Sequence, residues 1–89
     1  MRAVLTVIGK DMVGILASVT NICADAGVNI TEVTQSILQD LFAMIMLVDI
    51  SESRISFSEL SDQLQQYGER SGLSVRIMHE DIFNSMHRV

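Results

Sequence analysis

The chain lacks proline and tryptophan, contains one cysteine, and has aromatic side chains at only 4% of its 89 residues. A single cysteine, Cys23, cannot form an intramolecular disulfide, so we expect a reducing compartment, the cytoplasm. Without proline or any low-complexity stretch there is no sign of a linker, and a chain this short builds one core. We therefore expect a single domain over residues 1–89, in which residues 81–89 form a C-terminal helical extension.

Basic residues are also few. Six Lys and Arg stand against eleven Asp and Glu, which gives a formal net charge of -5 at pH 7. Nucleic-acid backbones and anionic lipid surfaces both require a basic face, so we expect neither nucleic acid nor membrane as a partner. The N-terminal apolar run is interrupted by Thr6 and Gly9 and lacks a cleavage site of small residues, which indicates a strand and not a signal peptide.

Apolar residues are abundant, at 48% of the chain, and they are arranged in alternating strand and helix patterns. The β-branched stretch from Ala3 to Ile8 predicts the first strand. Helical spacing of apolar residues then predicts the first helix, with Asp11 as its N-cap and Gly27 as its C-cap. The residues at that spacing are Ile15, Leu16, Val19, Ile22, Cys23 and Ala26.

Two further apolar runs, Val28 to Leu38 and Leu41 to Ile50, are separated by only two residues. This arrangement predicts a hairpin made of the second and third strands. The apolar parity of the earlier run slips between Ile30 and Val33, which indicates a β-bulge or a bend.

The second helix has the clearest start signal in the chain, a capping box formed by Ser56 and Glu59. Gly72 ends this helix. The alternation from Leu73 to Glu80 predicts a fourth strand with one solvated face, as at a sheet edge. The apolar stripe of the second helix consists of Phe57, Leu60, Leu64 and Tyr67.

The predicted order of elements is therefore β-α-β-β-α-β. Two right-handed βαβ crossovers that share a hairpin give an α+β, ferredoxin-like fold: a four-stranded antiparallel sheet with two helices on one face. In this arrangement strands one and three are central, and strands two and four lie at the edges.

The sheet face without helices should be polar, but the sequence makes it apolar. The third strand presents Leu41, Ala43, Ile45 and Leu47 on one side, and an equally apolar set on the other. A patch of several hundred Å² is more than a soluble monomer usually exposes. A second copy, the C-terminal segment or a partner protein would cover it, and self-association is favoured over a merely β-rich composition.

The stretch GKDMVGIL, residues 9–16, joins the first strand to the first helix. A helix N-terminus presents unpaired N–H groups and a partial positive charge, and a glycine there lets a ligand approach them. Asp11 adds a negative charge, so the loop suits a zwitterion such as a small amino acid. In the simpler interpretation, Asp11 only caps the helix and Gly14 only packs under the second strand.

These residues resemble the signature of the ACT domain, a small-molecule regulatory module found on many enzymes of amino-acid metabolism. The matching positions are Gly9, Asp11, Gly14, Ile15 and the tetrapeptide GVNI at residues 27–30. The resemblance covers essentially the whole chain. It is greatest to bacterial and archaeal proteins that consist of one ACT domain, and it extends to the tandem-ACT regulators of glycine cleavage.

The resemblance implies a homodimer with an effector site at its interface. There the loop from Lys10 to Ile15 meets Asn29 and Ile30 of the same or a neighbouring subunit. Backbone N–H groups of the loop would hold a carboxylate, Asn29 would bridge to the ligand, and Asp11 would take the ammonium group. The candidate ligand-binding residues are Asp11, Met12, Val13, Gly14, Ile15, Asn29 and Ile30.

The same resemblance implies an alternative, because many ACT domains show no ligand and only pair subunits. The chain would then be a ligand-free dimerisation or adaptor module that docks on a metabolic enzyme or regulator. The family usually regulates an attached catalytic or DNA-binding domain, which this sequence does not contain.

Patterns for catalysis or metal binding are weak. His79 and His87 are too far apart for one helix face, and Cys23 lies on the apolar stripe of the first helix, so neither a zinc site nor a reactive thiol is expected. Met44 and Met46 fit packing better than copper binding. We therefore expect no catalytic residues, no metal and no cofactor, and a protein that is not an enzyme.

Overall fold

The described part of the chain forms seven elements in the order β-α-β-β-α-β-α. The computed structural model describes residues 1–10 and 14–86. The elements are β1 Arg2–Gly9, α1 Ile15–Ala26, β2 Asn29–Leu38, β3 Leu41–Asp49, α2 Phe57–Ser71, β4 Ser74–His79 and α3 Glu80–Met86. The predicted order is confirmed, and each predicted strand differs from the observed one by a residue at one or both ends, as is usual for element boundaries.

The four strands form one antiparallel sheet in the order β2-β3-β1-β4. In the centre, Leu5 of β1 lies opposite Met46 of β3 on one side and Ile77 of β4 on the other. This confirms the prediction that strands one and three are central. It follows from two right-handed crossovers that start from neighbouring strands.

The core lies between the sheet and the two long helices. One side of β1, β3 and β4 supplies the sheet half, and α1 and α2 supply the other half. The fully buried side chains include Met44 and Met46, so packing and not metal binding accounts for them. The core residues at 2% exposure or less are Ala3, Leu5, Val7, Ile15, Val19, Cys23, Met44, Met46, Val48, Leu60 and Leu64.

Ser56 is confirmed as the N-cap of α2, and Glu59 contacts it. The Glu59 backbone N–H donates to Ser56 Oγ at 3.1 Å, and the Ser56 hydroxyl lies 3.4 Å from Glu59 Oε1. Gly72 ends the helix in the left-handed region, with φ 72°. Leu60 and Leu64 of the predicted stripe are fully buried, which fixes the face that α2 turns towards the sheet.

The start of α1 differs from the prediction. The predicted N-cap, Asp11, lies outside the described residues, and the N-cap of α1 is Gly14 instead. The buried face of α1 is also narrower than the predicted apolar stripe. Leu16 is 41% exposed, whereas Ile15 and Val19 are buried, so Leu16 lies outside the buried face of the helix.

The predicted irregularity in β2 is a β-bulge. Ile30 lies opposite Val48 and Glu32 lies opposite Leu47, so Thr31 is the extra residue. The Thr31 hydroxyl donates to the Leu47 carbonyl at 2.9 Å. Beyond the bulge the strand alternates regularly as far as the turn at residues 39–40.

The side of the sheet away from α1 and α2, here termed the second sheet face, is apolar along its middle. The short helix α3 contacts β1 and β4, and its first residue, Glu80, forms an ion pair with Arg2. Ile8, Leu41 and Ile45 of the two central strands are 44%, 42% and 44% exposed. Val4 is buried, and Thr6, Ala43 and Leu47 are half-buried. The apolar second face expected from the sequence is therefore present.

Candidate functional site

The N-terminus of α1 is open. Gly14 has φ 74°, and no side chain among the described residues caps the helix. The first hydrogen bond of the helix runs from the Ser18 N–H to the Gly14 carbonyl, at 3.0 Å. The N–H groups of Ile15, Leu16 and Ala17 precede it, and the first turn contains no acidic residue. The partial positive charge of this helix end is therefore left for an anion.

Space is also open at Gly14. A Cβ built on this residue would meet no described atom within 4 Å. The interpretation in which Gly14 packs under β2 is therefore wrong. Gly9 behaves differently, because a Cβ there would overlap the Leu73 side chain, so this signature glycine serves packing.

Of the candidate ligand-binding residues in the loop, the structure describes Gly14 and Ile15. Ile15 is 2% exposed and its side chain belongs to the core, which leaves its backbone N–H as the group it could offer to a ligand. Asp11, Met12 and Val13 lie outside the described residues.

The second half of the predicted site lies at the start of β2. Asn29 is exposed and pairs with Asp49 of β3, and Ile30 is half-buried. Asn29 borders a shallow groove at this end of the sheet. The other residues of that groove are Gly27, Val28, Asp49, Ser51 and Glu52.

One subunit does not bring the two halves of the site together. Gly14 precedes α1 and Asn29 follows it, and the helix has 12 residues. At a rise of 1.5 Å per residue the two positions are about 18 Å apart. The end of β1 lies opposite the start of β3, whereas Asn29 lies opposite the end of β3. The two halves are at opposite ends of the sheet, so they do not form one site within a single subunit.

The free edge of β2 is suited to that role. It is a ten-residue strand at the border of the sheet. On its helix side Val33 is 40% and Ile37 58% exposed. An unpaired edge bordered by apolar side chains is a template for another strand.

Metal and thiol chemistry find no support among the described residues. They contain no group of three His, Cys, Asp or Glu side chains that could hold a metal ion. Burial raises the pKa of Cys23 to about 11, so the thiol stays protonated and inert. His79 stacks on Phe57 with ring centroids 4.3 Å apart, and His87 lies outside the described residues.

One structural residue was not found from the sequence. The Arg54 guanidinium donates to the Ala24 carbonyl at 3.0 Å and to the Asp25 carbonyl at 2.8 Å. A cation on the last carbonyls of α1 also matches the helix dipole. No local pattern marks Arg54, because its acceptors lie about 30 residues earlier in the chain.

The sequence profile of the ACT domain matches residues 2–78. This chain belongs to the ACT domain family. The resemblance that the loop and the GVNI tetrapeptide carry is thereby confirmed. ACT domains are small-molecule-binding regulatory modules, and they are typically regulatory and not catalytic.

Within this family the ACT protein belongs with the single-domain UPF0237 proteins. It is 48% identical to the UPF0237 protein of Methanopyrus kandleri, over 99% of this chain and 98% of that protein. It is also 48% identical to the UPF0237 protein of Clostridium acetobutylicum, over the full length of both.

Solved structures agree with this assignment. An ACT domain protein from Streptococcus pneumoniae superposes with a TM-score of 0.81 at 32% identity, over 93% of both chains. A putative glycine cleavage system transcriptional repressor gives a TM-score of 0.74 at 25% identity, over 86% of this chain and 44% of that chain. No described helix of this ACT protein is long and apolar enough to span a bilayer.

Proposed function

We propose that this ACT protein is a cytoplasmic regulatory module that binds a small amino acid between the two subunits of a homodimer. The observation that carries this proposal is the open start of α1. Three backbone N–H groups there precede the first helical hydrogen bond, and no described side chain caps them. A carboxylate is the group that such a helix end accepts.

The homodimer follows from the distance between the two halves of the site. Antiparallel pairing of β2 with β2 of a second subunit lays the start of each strand beside the end of the other. Gly14 lies at the same end of the sheet as the end of β2, because Gly9 and Leu38 flank the start of β3. Edge pairing therefore moves the Asn29 of one subunit towards the Gly14 of the other.

Asn29 is suited to complete the site. It is exposed at the start of β2, and its amide both donates and accepts hydrogen bonds. Asp11 would receive the ammonium group of the ligand. The ligand then favours the paired geometry over others, and a partner protein responds to that geometry by population shift.

A thermal-shift panel tests ligand binding. We expect at least one of the common amino acids, at about 10 mM, to raise the melting temperature, because a ligand that binds only the folded state stabilises it. The Gly14→Ala variant should lose most of this response. Gly72→Ala is the matched control, because Gly72 has nearly the same φ and equally open space. A panel without any response contradicts the proposal.

Subunit mixing tests the shared site. Gly14→Ala and Asn29→Ala chains, each deficient in binding, are refolded together at equal concentrations. Random pairing gives one intact site in each mixed dimer, so about a quarter of the wild-type binding capacity should return. If each site lies within one subunit, mixing restores nothing, and the shared-site geometry is refuted.

A second candidate function is a ligand-free dimerisation or adaptor module that docks on an enzyme or regulator. The exposed apolar residues of β2 and of the second sheet face favour it, since such surfaces mark interaction sites. Under this alternative Gly14→Ala alters stability and pairing, yet no amino acid shifts the melting temperature of the wild-type protein.

A further inference from the structure

β4 is the other free edge of the sheet, and pairing through β2 does not use it. The strand order places β4 at the border, where it pairs with β1 alone. In an antiparallel ladder, every second residue of an edge strand points its N–H and C=O groups away from its neighbour. Among the described residues, no side chain or loop hydrogen-bonds to residues 74–77. This edge therefore presents unpaired backbone donors and acceptors to an added strand.

A groove of about 430 Å³ lies between this edge and α2. Residues 73–78 form one of its walls. The wall on α2 is polar, and its residues are spaced by four, so they form one line along the helix. They are Ser61, Gln65 and Glu69. Side chains of an added strand that point to the helix side would enter this groove and meet groups that form hydrogen bonds.

A close contact at Gly68 fixes how α2 lies along β4. A Cβ on Gly68 would be 2.8 Å from the Leu73 carbonyl oxygen and 3.0 Å from Val75 Cγ2. Glu69, the next residue of the helix, is therefore level with the start of β4. Gln65 lies four residues earlier, about 6 Å along the helix axis, and is level with the middle of the strand.

Two opposite charges flank the β4 edge, one on each side of the sheet. Glu69 lines the groove on the helix side. Arg76 alternates with the buried residues Val75 and Ile77, so it lies on the second sheet face. Both charged side chains are exposed, and neither forms an ion pair within the part of the chain that the structure describes.

We propose that the β4 edge binds an extended segment of a partner protein, which runs antiparallel to β4 and has an acidic residue directly followed by a basic one. The acidic residue lies opposite Arg76 on the second sheet face. The basic residue then lies opposite Val75 and points to the helix side, towards Glu69. Main-chain hydrogen bonds provide the affinity, and the two charge pairs fix the register.

Charge argues against a second copy of this chain at the same edge. Residues that lie opposite each other in a ladder share a face of the sheet. Two β4 strands paired around their middle therefore place their Arg76 side chains directly opposite each other or one diagonal step apart, where like charges repel. Two-fold pairing at both edges of the sheet would also build an open ribbon of subunits and not a closed dimer.

The strand site does not depend on the amino-acid site. It uses neither the start of α1 nor β2, which forms the other border of the sheet. A dimer paired through β2 therefore keeps one β4 edge free in each subunit. Loss of either site leaves the other intact.

A peptide titration followed by NMR tests the proposal. The probe is a peptide of about eight residues, made of threonine and valine around a central Glu-Lys pair. We expect saturable shifts of the backbone amides of β4, Gln65 and Glu69, and slower hydrogen exchange at every second β4 amide. A Lys-Glu peptide of the same composition should bind about tenfold more weakly, because both charge pairs become repulsive. Equal binding of the two peptides, or shifts centred on β2, overturn the proposal.

N-methylated peptides test the backbone contacts separately. Methyl groups on alternate amides of the Glu-Lys peptide remove the donors from one of its two edges. Because only one edge faces β4, one of the two possible N-methylated peptides should lose binding and the other should keep it. If both bind as well as the parent peptide, side chains alone hold it, and strand addition is refuted.

Charge exchange in the protein tests the register. The double variant Glu69→Lys with Arg76→Glu should prefer the Lys-Glu peptide. Asp62→Lys with Arg70→Glu is the matched control, because both residues are exposed on α2 outside the groove and the net charge again stays the same. Circular dichroism verifies that each variant is folded. A double variant that still prefers the Glu-Lys peptide refutes the register.

The two proposals fail separately. If no amino acid raises the melting temperature but the protein still prefers the Glu-Lys peptide, the proposed function alone is refuted. If an amino acid raises it and the two peptides do not differ, the strand site alone is refuted.

Discussion

Three glycines with left-handed backbones form a natural series for testing how this fold depends on backbone strain and space. Gly14, Gly27 and Gly72 have φ angles of 74°, 77° and 72°. A Cβ on Gly14 or Gly72 would meet no described atom within 4 Å, whereas a Cβ on Gly27 would lie 2.9 Å from the Glu52 carbonyl oxygen. Alanine in place of Gly14 or Gly72 therefore adds backbone strain alone, whereas alanine in place of Gly27 adds backbone strain and a collision with the Glu52 carbonyl oxygen.

The magnitudes follow from these geometries. An L-residue in the left-handed region costs roughly 1–2 kcal/mol, so Gly14→Ala and Gly72→Ala should destabilise the protein by similar amounts in that range. At Gly27 the backbone carbonyl cannot move away freely, and overpacking adds about 1–3 kcal/mol. The free energy of unfolding should therefore fall by about 2–5 kcal/mol for Gly27→Ala.

Urea denaturation followed by circular dichroism measures these differences, with all variants at one protein concentration because association adds to stability. Gly72→Asn is a further control, since asparagine tolerates the left-handed region better than alanine and should cost less. A Gly27→Ala variant as stable as Gly72→Ala would refute the collision. Equal losses for Gly72→Asn and Gly72→Ala would refute the strain.

Three other outcomes follow from buried or hydrogen-bonded side chains. Leu64→Ala should lower the free energy of unfolding by about 2–5 kcal/mol, because it empties a fully buried position, whereas Gln63→Ala on the exposed face should change it by no more than about 0.5 kcal/mol. Ser56→Ala should cost about 1 kcal/mol in urea denaturation, because the Glu59 N–H loses its acceptor. The Cys23 thiol should resist iodoacetamide until the protein unfolds. Its pKa is raised from 9.0 to about 11 by burial, so the unfolded thiol loses its proton first and stability should fall as the pH rises between these values. Rapid alkylation of the folded protein, or a flat pH profile there in a comparison with Cys23→Ala, would contradict this account.

Local signals in the sequence are sufficient for most of the fold. The capping box at Ser56 fixes the start of α2, the parity slip after Ile30 locates the bulge, and the handedness of the crossovers fixes the strand order. Each of these features depends on residues close together in the chain or on a general rule of chain geometry, so one sequence is enough to predict it.

Features that depend on tertiary contacts were not predictable in this way. Arg54 binds carbonyls about 30 residues away, and nothing near Arg54 reveals it. The sequence favours Asp11 as the N-cap of α1 because aspartate is a strong capping residue. The sequence alone does not distinguish a left-handed glycine at the N-cap, as Gly14 is, from a glycine in the first turn of the helix. Gly14 and Asn29 are close in the sequence, yet the length of α1 separates them in space.

The bulge at Thr31 also affects how far a foreign strand can extend along this protein. A regular ten-residue edge would invite continuous cross-β growth from one molecule to the next. The extra residue bends and twists the border of the sheet, so only the segment beyond it remains straight enough to accept a neighbour. Deleting Thr31 would leave the other pairs of the ladder unchanged, and the resulting chain should form fibrils more readily than the parent.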